Sequence, residues 1–242
     1  VVQLPRPLDF LVVADHSENI GFWNGLRAND PLLMESELGR AYLAQQSGKK
    51  KGARSPFRTS KSVEFTRSVW EKNCEIADNL NQPGIFTALI GYEWTSMPQG
   101  NNLHRVVIYK DGAKQATQVI PYTNLESENP EDLWKHMSEY EATTGGKILA
   151  IPHNGNMSNG LMFTPETYEG KPLTRSDAAF RSRWEPLIEI TQIKGVAEAH
   201  PTLSPNDEFA DHRIWDIGNM GAKQKNAGAG AKEDWMLPYE YA

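Results

Sequence analysis

Apolar residues along the chain gather into five short runs: residues 8–14 (LDFLVVA), 86–91 (FTALIG), 103–109 (LHRVVIY), 148–151 (ILAI) and 187–193 (LIEITQI). Each is rich in β-branched or aromatic residues and bounded by Gly, Pro, Asn or Asp, which predicts a strand. The first, second and fourth are continuously apolar, the pattern of strands buried on both faces. Helical spacing fills some of the intervals. Val63, Trp70, Cys74 and Ala77 share one helical face, and Pro83-Gly84 closes that helix. Asn129 and Pro130 suit the N-cap and first position of a second helix, Glu131 and Asp132 its first turn, and Gly145-Gly146 its stop. Strands alternating with helices predict α/β layers. Two stretches, residues 21–60 and 155–185, exceed a minimal unit of that kind. Long insertions of this sort in compact domains are lids or binding loops, and both stretches are expected to border a pocket mouth.

Composition narrows the reading. The 242 residues, 39% hydrophobic and 23% charged, can bury a core and are read as one domain spanning 1–242. No run of about 18 apolar residues occurs, so no membrane span is expected. A net charge of −6 argues against general binding to nucleic-acid backbone. The one basic cluster, Lys49-Lys50-Lys51 with Arg54, reads as a solvated loop, and the Gly- and Ala-rich stretch 218–232 as a flexible tail. A single cysteine, Cys74, excludes a disulfide within the chain and reads as a small core residue. The chain opens without Met almost directly into strand-like sequence, so its N-terminus is expected to have been removed.

Chemistry-bearing side chains recur beside the apolar runs. Asp15-His16 follows the first run, and Glu93 follows the second in Gly91-Tyr92-Glu93-Trp94. His104 lies inside the third, and His153 follows the fourth ahead of Asn154-Gly155-Asn156. Each alone is commonly structural: an N-cap Asp, a surface His, a turn. Glu93, however, is flanked by aromatic residues, and a buried acid needs a partner. If the strand ends converge, His16, Glu93, His104 and His153 gather around a point. Imidazoles with a carboxylate suit Zn, Mn or Fe. The chemistry expected is water activation and charge stabilisation at a phosphoryl-like or acyl centre.

Together these motifs resemble the PHP (polymerase and histidinol phosphatase) superfamily. The phrases RPLDFLVVADH, IGYEWT, GNNLHRVVIY, AIPHNGNMSNG, WEPLIEITQIKG and HPTLSPNDEFAD resemble one branch of it, labelled a domain of unknown function. The resemblance covers nearly the whole chain. It implies a distorted seven-stranded (β/α)7 TIM-like barrel with two or three divalent metal ions, and phosphoester hydrolysis. It places His16, Glu93 (bridging), His104 and His153 as metal ligands. The superfamily's first-strand His-x-His and last-strand Asp-x-His do not occur; Asp211-His212, in a polar segment, is no substitute. The chain therefore reads as trimmed at both ends.

Around this core, Glu93, His153 and Asp15 are candidate catalytic residues, Asp15 chiefly to orient His16. Asn154, Asn156, Lys194 and His200 are candidate contacts to a small anionic substrate, with turn chemistry or a solvated strand end as the plain alternative. Asn159 lies in the same loop. His136 reads as a surface residue, and Trp23, Trp94 and Trp184 as core or pocket wall. The function expected is a metal-dependent phosphoesterase. Hydrolysis of another anionic ester or an amide, such as a sulfate ester, is the alternative, as is a non-catalytic domain stabilised by its metals. The missing N-terminus and the resemblance point to a periplasmic or secreted setting, with a cytoplasmic one left open.

Overall fold

A computed structural model describes residues 5–48, 55–58, 60–197, 199–201, 204–215 and 218–220. The basic cluster at 49–54 and the tail beyond Met220 lie outside them. Within them the strands are β1 (Phe10–Val13), β2 (Thr87–Trp94), β3 (Arg105–Tyr109), β4 (Ile148–Pro152), β5 (Thr191–Gln192) and β6 (Gly195–Val196). The helices are α1 (Phe22–Ala28), α2 (Pro31–Met34), α3 (Glu37–Gln46), α4 (Val63–Leu80), α5 (Ala113–Ala116), α6 (Pro130–Thr144) and α7 (Arg175–Trp184). None of these helices is long and apolar enough to cross a membrane.

The main sheet is mixed, in the order β1-β2-β3-β4, with β5 and β6 forming a separate hairpin. β1 and β2 are parallel, while β2–β3 and β3–β4 are antiparallel. The expected TIM-like barrel is therefore overturned: among the described residues the sheet is open, with β1 and β4 as its edges. The physical reason is legible in the connections. Ten residues separate β2 from β3, whereas a parallel return needs a crossover of a dozen or more. The chain turns straight back instead.

Alternation along the strands gives the sheet two unlike faces. Ile90, Tyr92, Trp94, Val107, Tyr109, Ile148 and Ala150 point to one side and are buried. Trp70 and Cys74 of α4, Leu133, Trp134, Met137 and Tyr140 of α6, and Trp184 of α7 cover them. The other side, with Val12, Leu89, Val106, Ile108, Leu149 and Ile151, is half-buried. Arg105 is the charged exception on the covered face. It pairs with Glu185 at 2.8 Å, Arg181 pairs with the same carboxylate at 3.2 Å, and the Trp134 indole N–H donates to it at 2.8 Å. Two acceptor oxygens thus take one N–H from each of two guanidinium groups and one from an indole, while the Leu103 and Met162 carbonyls accept further guanidinium N–H groups.

The sequence signals at α6 hold. The Asn129 side chain accepts from the Glu131 N–H, Pro130 stands at the first position, and Gly145 closes the helix at φ +71°. α4 also forms as expected, ending at Leu80. Cys74 is fully buried, and burial, then Asp78 and Glu71, push its thiol up to about 12. Trp94 and Trp184 are core, whereas Trp23 is exposed.

Other expectations are corrected. β1 is no doubly buried strand: Phe10 and Val13 are 65% and 67% exposed, because nothing pairs beyond this edge among the described residues. The run 187–193 yields only Thr191–Gln192, hairpinned to β6, and its aliphatic residues are exposed. Pro186 precedes it, and Gly195 at φ +112° reverses the chain directly after it. His136 is half-buried, stacked on Tyr122 with centroids 4.7 Å apart. The first residues of the tail are tied down, since Asn159 N–H donates to Gly218 O and Met220 N–H to Gly100 O.

Candidate metal centre

β1, β2 and β4 all finish at one end of the sheet, and antiparallel β3 begins there. Topology alone therefore brings His16, Glu93, His104 and His153 to the same end. The backbone completes the approach. A single parallel bridge joins His16 to Glu93: Glu93 N–H donates to Asp15 O and Ser17 N–H to Glu93 O, each at 2.8 Å. His153 N–H donates to His104 O at 3.3 Å.

The side chains converge on one carboxylate. His104 Nδ1 lies 2.7 Å and His153 Nε2 3.0 Å from Glu93 Oε1, while His16 Nδ1 lies 3.4 Å from Glu93 Oε2. His104 is buried, His153 and Glu93 are partly covered, and His16 is exposed. The cluster thus grades from a buried ring, His104, to an exposed one, His16. Burial alone would raise the Glu93 carboxyl. Hydrogen bonds from His104 and His153, with the charges of His153 and His16, reverse this and hold it far below the ordinary range. Burial lowers His104 against the opposing pull of Glu93. At neutral pH Glu93 is an anion and His104 a neutral ring.

Two observations test whether this donor set fits a cation. Ligand atoms of His16, Glu93 and His104 all lie within 4.8 Å of one another. Donors at about 2.1 Å around a tetrahedral ion sit about 3.4 Å apart, and the spacings to Glu93 run from 2.7 to 3.4 Å. Secondly, His104 Nε2 and His153 Nδ1 are buried without hydrogen-bond partners. No structural hydrogen bond orients either ring except the one to Glu93. Two imidazoles and a carboxylate, with His153 3.0 Å from the same carboxylate, are a donor set of the kind that suits zinc, manganese or iron. The residues fit.

The remaining candidates fall less evenly. Asp15 is exposed, and Thr95 Oγ1 lies 2.7 Å from His16 Nδ1, the same ring nitrogen that faces Glu93. Asn154 sits at φ +58°, fully buried, with its N–H donating to Glu189 and its amide unpartnered. Asn156 is buried and spends its amide N–H on Lys194 O, in the β5–β6 turn, which is the structural role of an Asn in a loop. Asn159 donates to Asn101. Lys194 is half-buried, and His200 lies past β6, its carbonyl accepting from Ser204 N–H.

Sequence reasoning passed over Thr95 and Glu18. Glu18 Oε1 accepts the backbone N–H of Thr95 at 3.3 Å and of Asn124 at 2.9 Å, so it clasps two loops beside the cluster. Its signal was slight: an acid two positions after His16. Of the long insertions, residues 155–185 leave the site's end of the sheet after His153 and return over its covered face as α7. Residues 21–60 form α1 to α3 and a separate small core of Phe22, Leu33 and Leu38 with Phe65 of α4.

No curated protein and no solved structure matches the chain. A model of one family, described as a protein of unknown function, does match it over residues 1–239, and the chain accordingly belongs to the DUF3604 family.

Proposed function

We propose that the protein is a metal-dependent hydrolase of small anionic esters, with phosphate esters as the first class to test. One observation carries this reading: three imidazoles from three separate strand ends converge on the single carboxylate of Glu93. A structural ion pair needs one partner, and three around one acid is the economy of a cation site. The resemblance of the Asp-His, Gly-x-Glu and His-Asn motifs to the PHP superfamily supports the same chemistry.

His16, Glu93, His104 and His153 would hold the metal. Bound divalent cations supply Lewis acidity, acidify water and neutralise charge developing on the ester. The chain's own residues do the rest. Glu93, kept ionised by its neighbours, sets the negative charge of the centre. Buried His104 and partly covered His153 shield the inner side from water. Exposed His16 leaves the outer side open to a substrate.

The test is metal content by elemental analysis, together with turnover of 4-nitrophenyl phosphate and 4-nitrophenyl sulfate. Expected are stoichiometric zinc, manganese or iron, phosphate-ester turnover abolished by a chelator and restored by the metal, and loss of both in His104→Ala. Sulfate turnover alone moves the proposal to that ester class. Metal held tightly with no turnover of either ester assigns the ion to stability and overturns the catalytic reading.

A further inference from the structure

On the covered side of the sheet, α6, α7 and the loops 98–105 and 161–173 enclose a cleft of about 580 Å³, and none of the four residues of the Glu93 cluster lies on its lining. That volume falls within the ~300–1,000 Å³ of small-molecule sites. Leu103, Trp134, Leu161, Met162, Tyr168 and Phe180 give it largely apolar walls. Leu161, Tyr168 and Phe180 keep 38–43% of their surface exposed although they line a concavity. Apolar surface left uncovered in a recess is stabilised by an apolar guest, and ring faces and edges favour a flat one.

The same lining carries charge that the chain leaves unbalanced. Arg105 and Arg181 both reach the cleft, and they share one carboxylate, Glu185, at 2.8 and 3.2 Å. The side chains of Arg105 and Glu185 are almost wholly buried. Two guanidinium groups against one carboxylate leave one positive charge in excess within this network. Burial works against the charged form of Arg181, Glu185 favours it, and Arg105 again opposes it. Excess charge away from water is costly, and a second anion would relieve it.

Donors for that anion are at hand. Arg105 spends Nε on Glu185 and Nη1 on the Leu103 carbonyl, and Arg181 spends Nε on Glu185 and Nη2 on the Met162 carbonyl. Among the described residues Arg105 Nη2 and Arg181 Nη1 take no hydrogen bond. Arg181 also lies over the rings of Trp134 and Phe163, so cation and aromatic wall adjoin. The acids on the lining do not cancel the excess. Glu166 is exposed, Asp177 is spent on the Thr174 cap, and Glu131 accepts the Tyr168 N–H. Charges in contact with water are screened, and buried ones much less so.

We infer that this cleft binds a flat aromatic monocarboxylate, its ring against Leu161, Tyr168 and Phe180 and its carboxylate beside Arg181 and Arg105. Such a site is separate from the Glu93 cluster and owes nothing to a metal. The probes are 2-naphthoate and 2-naphthol, which share one ring system and differ in charge at neutral pH. Binding of each to the full chain is measured by calorimetry. Arg181→Gln removes one guanidinium and leaves Arg105 and Glu185 matched one to one. Phe180→Ala and Leu161→Ala truncate partly exposed side chains of the wall. Thermal melting checks that each variant is folded.

Saturable binding of 2-naphthoate is expected, about tenfold or more tighter than that of 2-naphthol, the worth of one charge-assisted hydrogen bond. Arg181→Gln should erase that preference and leave 2-naphthol binding as it was, while each wall variant should weaken both probes. The site is overturned by absent 2-naphthoate binding, by equal affinity for the two probes, or by a preference that survives in folded Arg181→Gln. It is overturned equally by affinities unchanged in the folded wall variants, the result expected if 2-naphthoate sits elsewhere, on a metal at Glu93 for example. Should Arg181→Gln fail to fold, the wall variants and the comparison of the two probes decide the matter without it.

Discussion

Three imidazole rings gather on the single side chain of Glu93, because a carboxylate has lone pairs enough to face them all at once. Replacing it with glutamine keeps the shape and removes the charge. On the proposed hydrolase function, Glu93→Gln should lower ester turnover by about 10²-fold or more, the scale of losing one electrostatic group at a reacting centre, and lower metal content with it. Thermal unfolding should change little, since the swap is isosteric and the aromatic core lies on the other face of β2. A collapsed melting temperature with lost metal would show that the ion holds the fold together. The four residues of the cluster were legible in sequence because each sits on or just past an apolar run, and strand ends are where side chains meet. Thr95 and Glu18 were not. Their bonds to His16 and Asn124 join positions 79 and 106 residues apart, and no local pattern records such contacts.

Among the elements, legibility followed length and punctuation. α6, bracketed by Asn129-Pro130 and Gly145, declared both of its ends, and α4 declared its buried face. Strand existence was readable for β1 to β4, but strand direction was not. An apolar run carries no arrow, so the barrel expected from alternating strands and helices gave way to a mixed, open sheet. The run at 187–193 failed because apolar composition alone cannot supply a ladder partner. Its reversal depends on Gly195, whose φ of +112° is closed to other residues, and where an added Cβ would stand 2.8 Å from Asn156 Nδ2. Gly195→Ala should therefore destabilise by about 1–3 kcal/mol. Hydrogen exchange is the measurement to make. Amides of the β5–β6 hairpin should lose protection while those of β3 keep theirs, and equal protection at both would show that the turn tolerates a side chain.

At the scale of the whole molecule, a buried charge network shares the core with the aromatic residues. Burial would raise the Glu185 carboxyl, but Arg105 and Arg181, with hydrogen bonds from Arg105 and Trp134, hold it below its ordinary 4.5. A depressed folded value contributes stability that is complete above the unfolded one and is lost as pH falls through the folded one. Denaturant midpoints should accordingly drop below about pH 4.5, with Glu93 adding to the same slope. Glu185→Gln should cost about 3–5 kcal/mol at pH 7, because two guanidinium groups lose their buried counter-charge, and should flatten the acid slope. An acid slope identical to wild type would assign the loss to other carboxylates.

β2 carries both programmes on alternate residues: Tyr92 and Trp94 point into the core, and Glu93 between them points to the cluster. A slip of one residue would drive the carboxylate into the aromatic layer and turn two rings out to water, so the packing of the neighbours fixes where the acid can stand. The reverse does not hold, since the core makes no demand on the identity of residue 93. Under mutation and selection that asymmetry leaves the scaffold heritable and its reagent negotiable. Lineages can rewrite what this end of the sheet does while passing on the same fold.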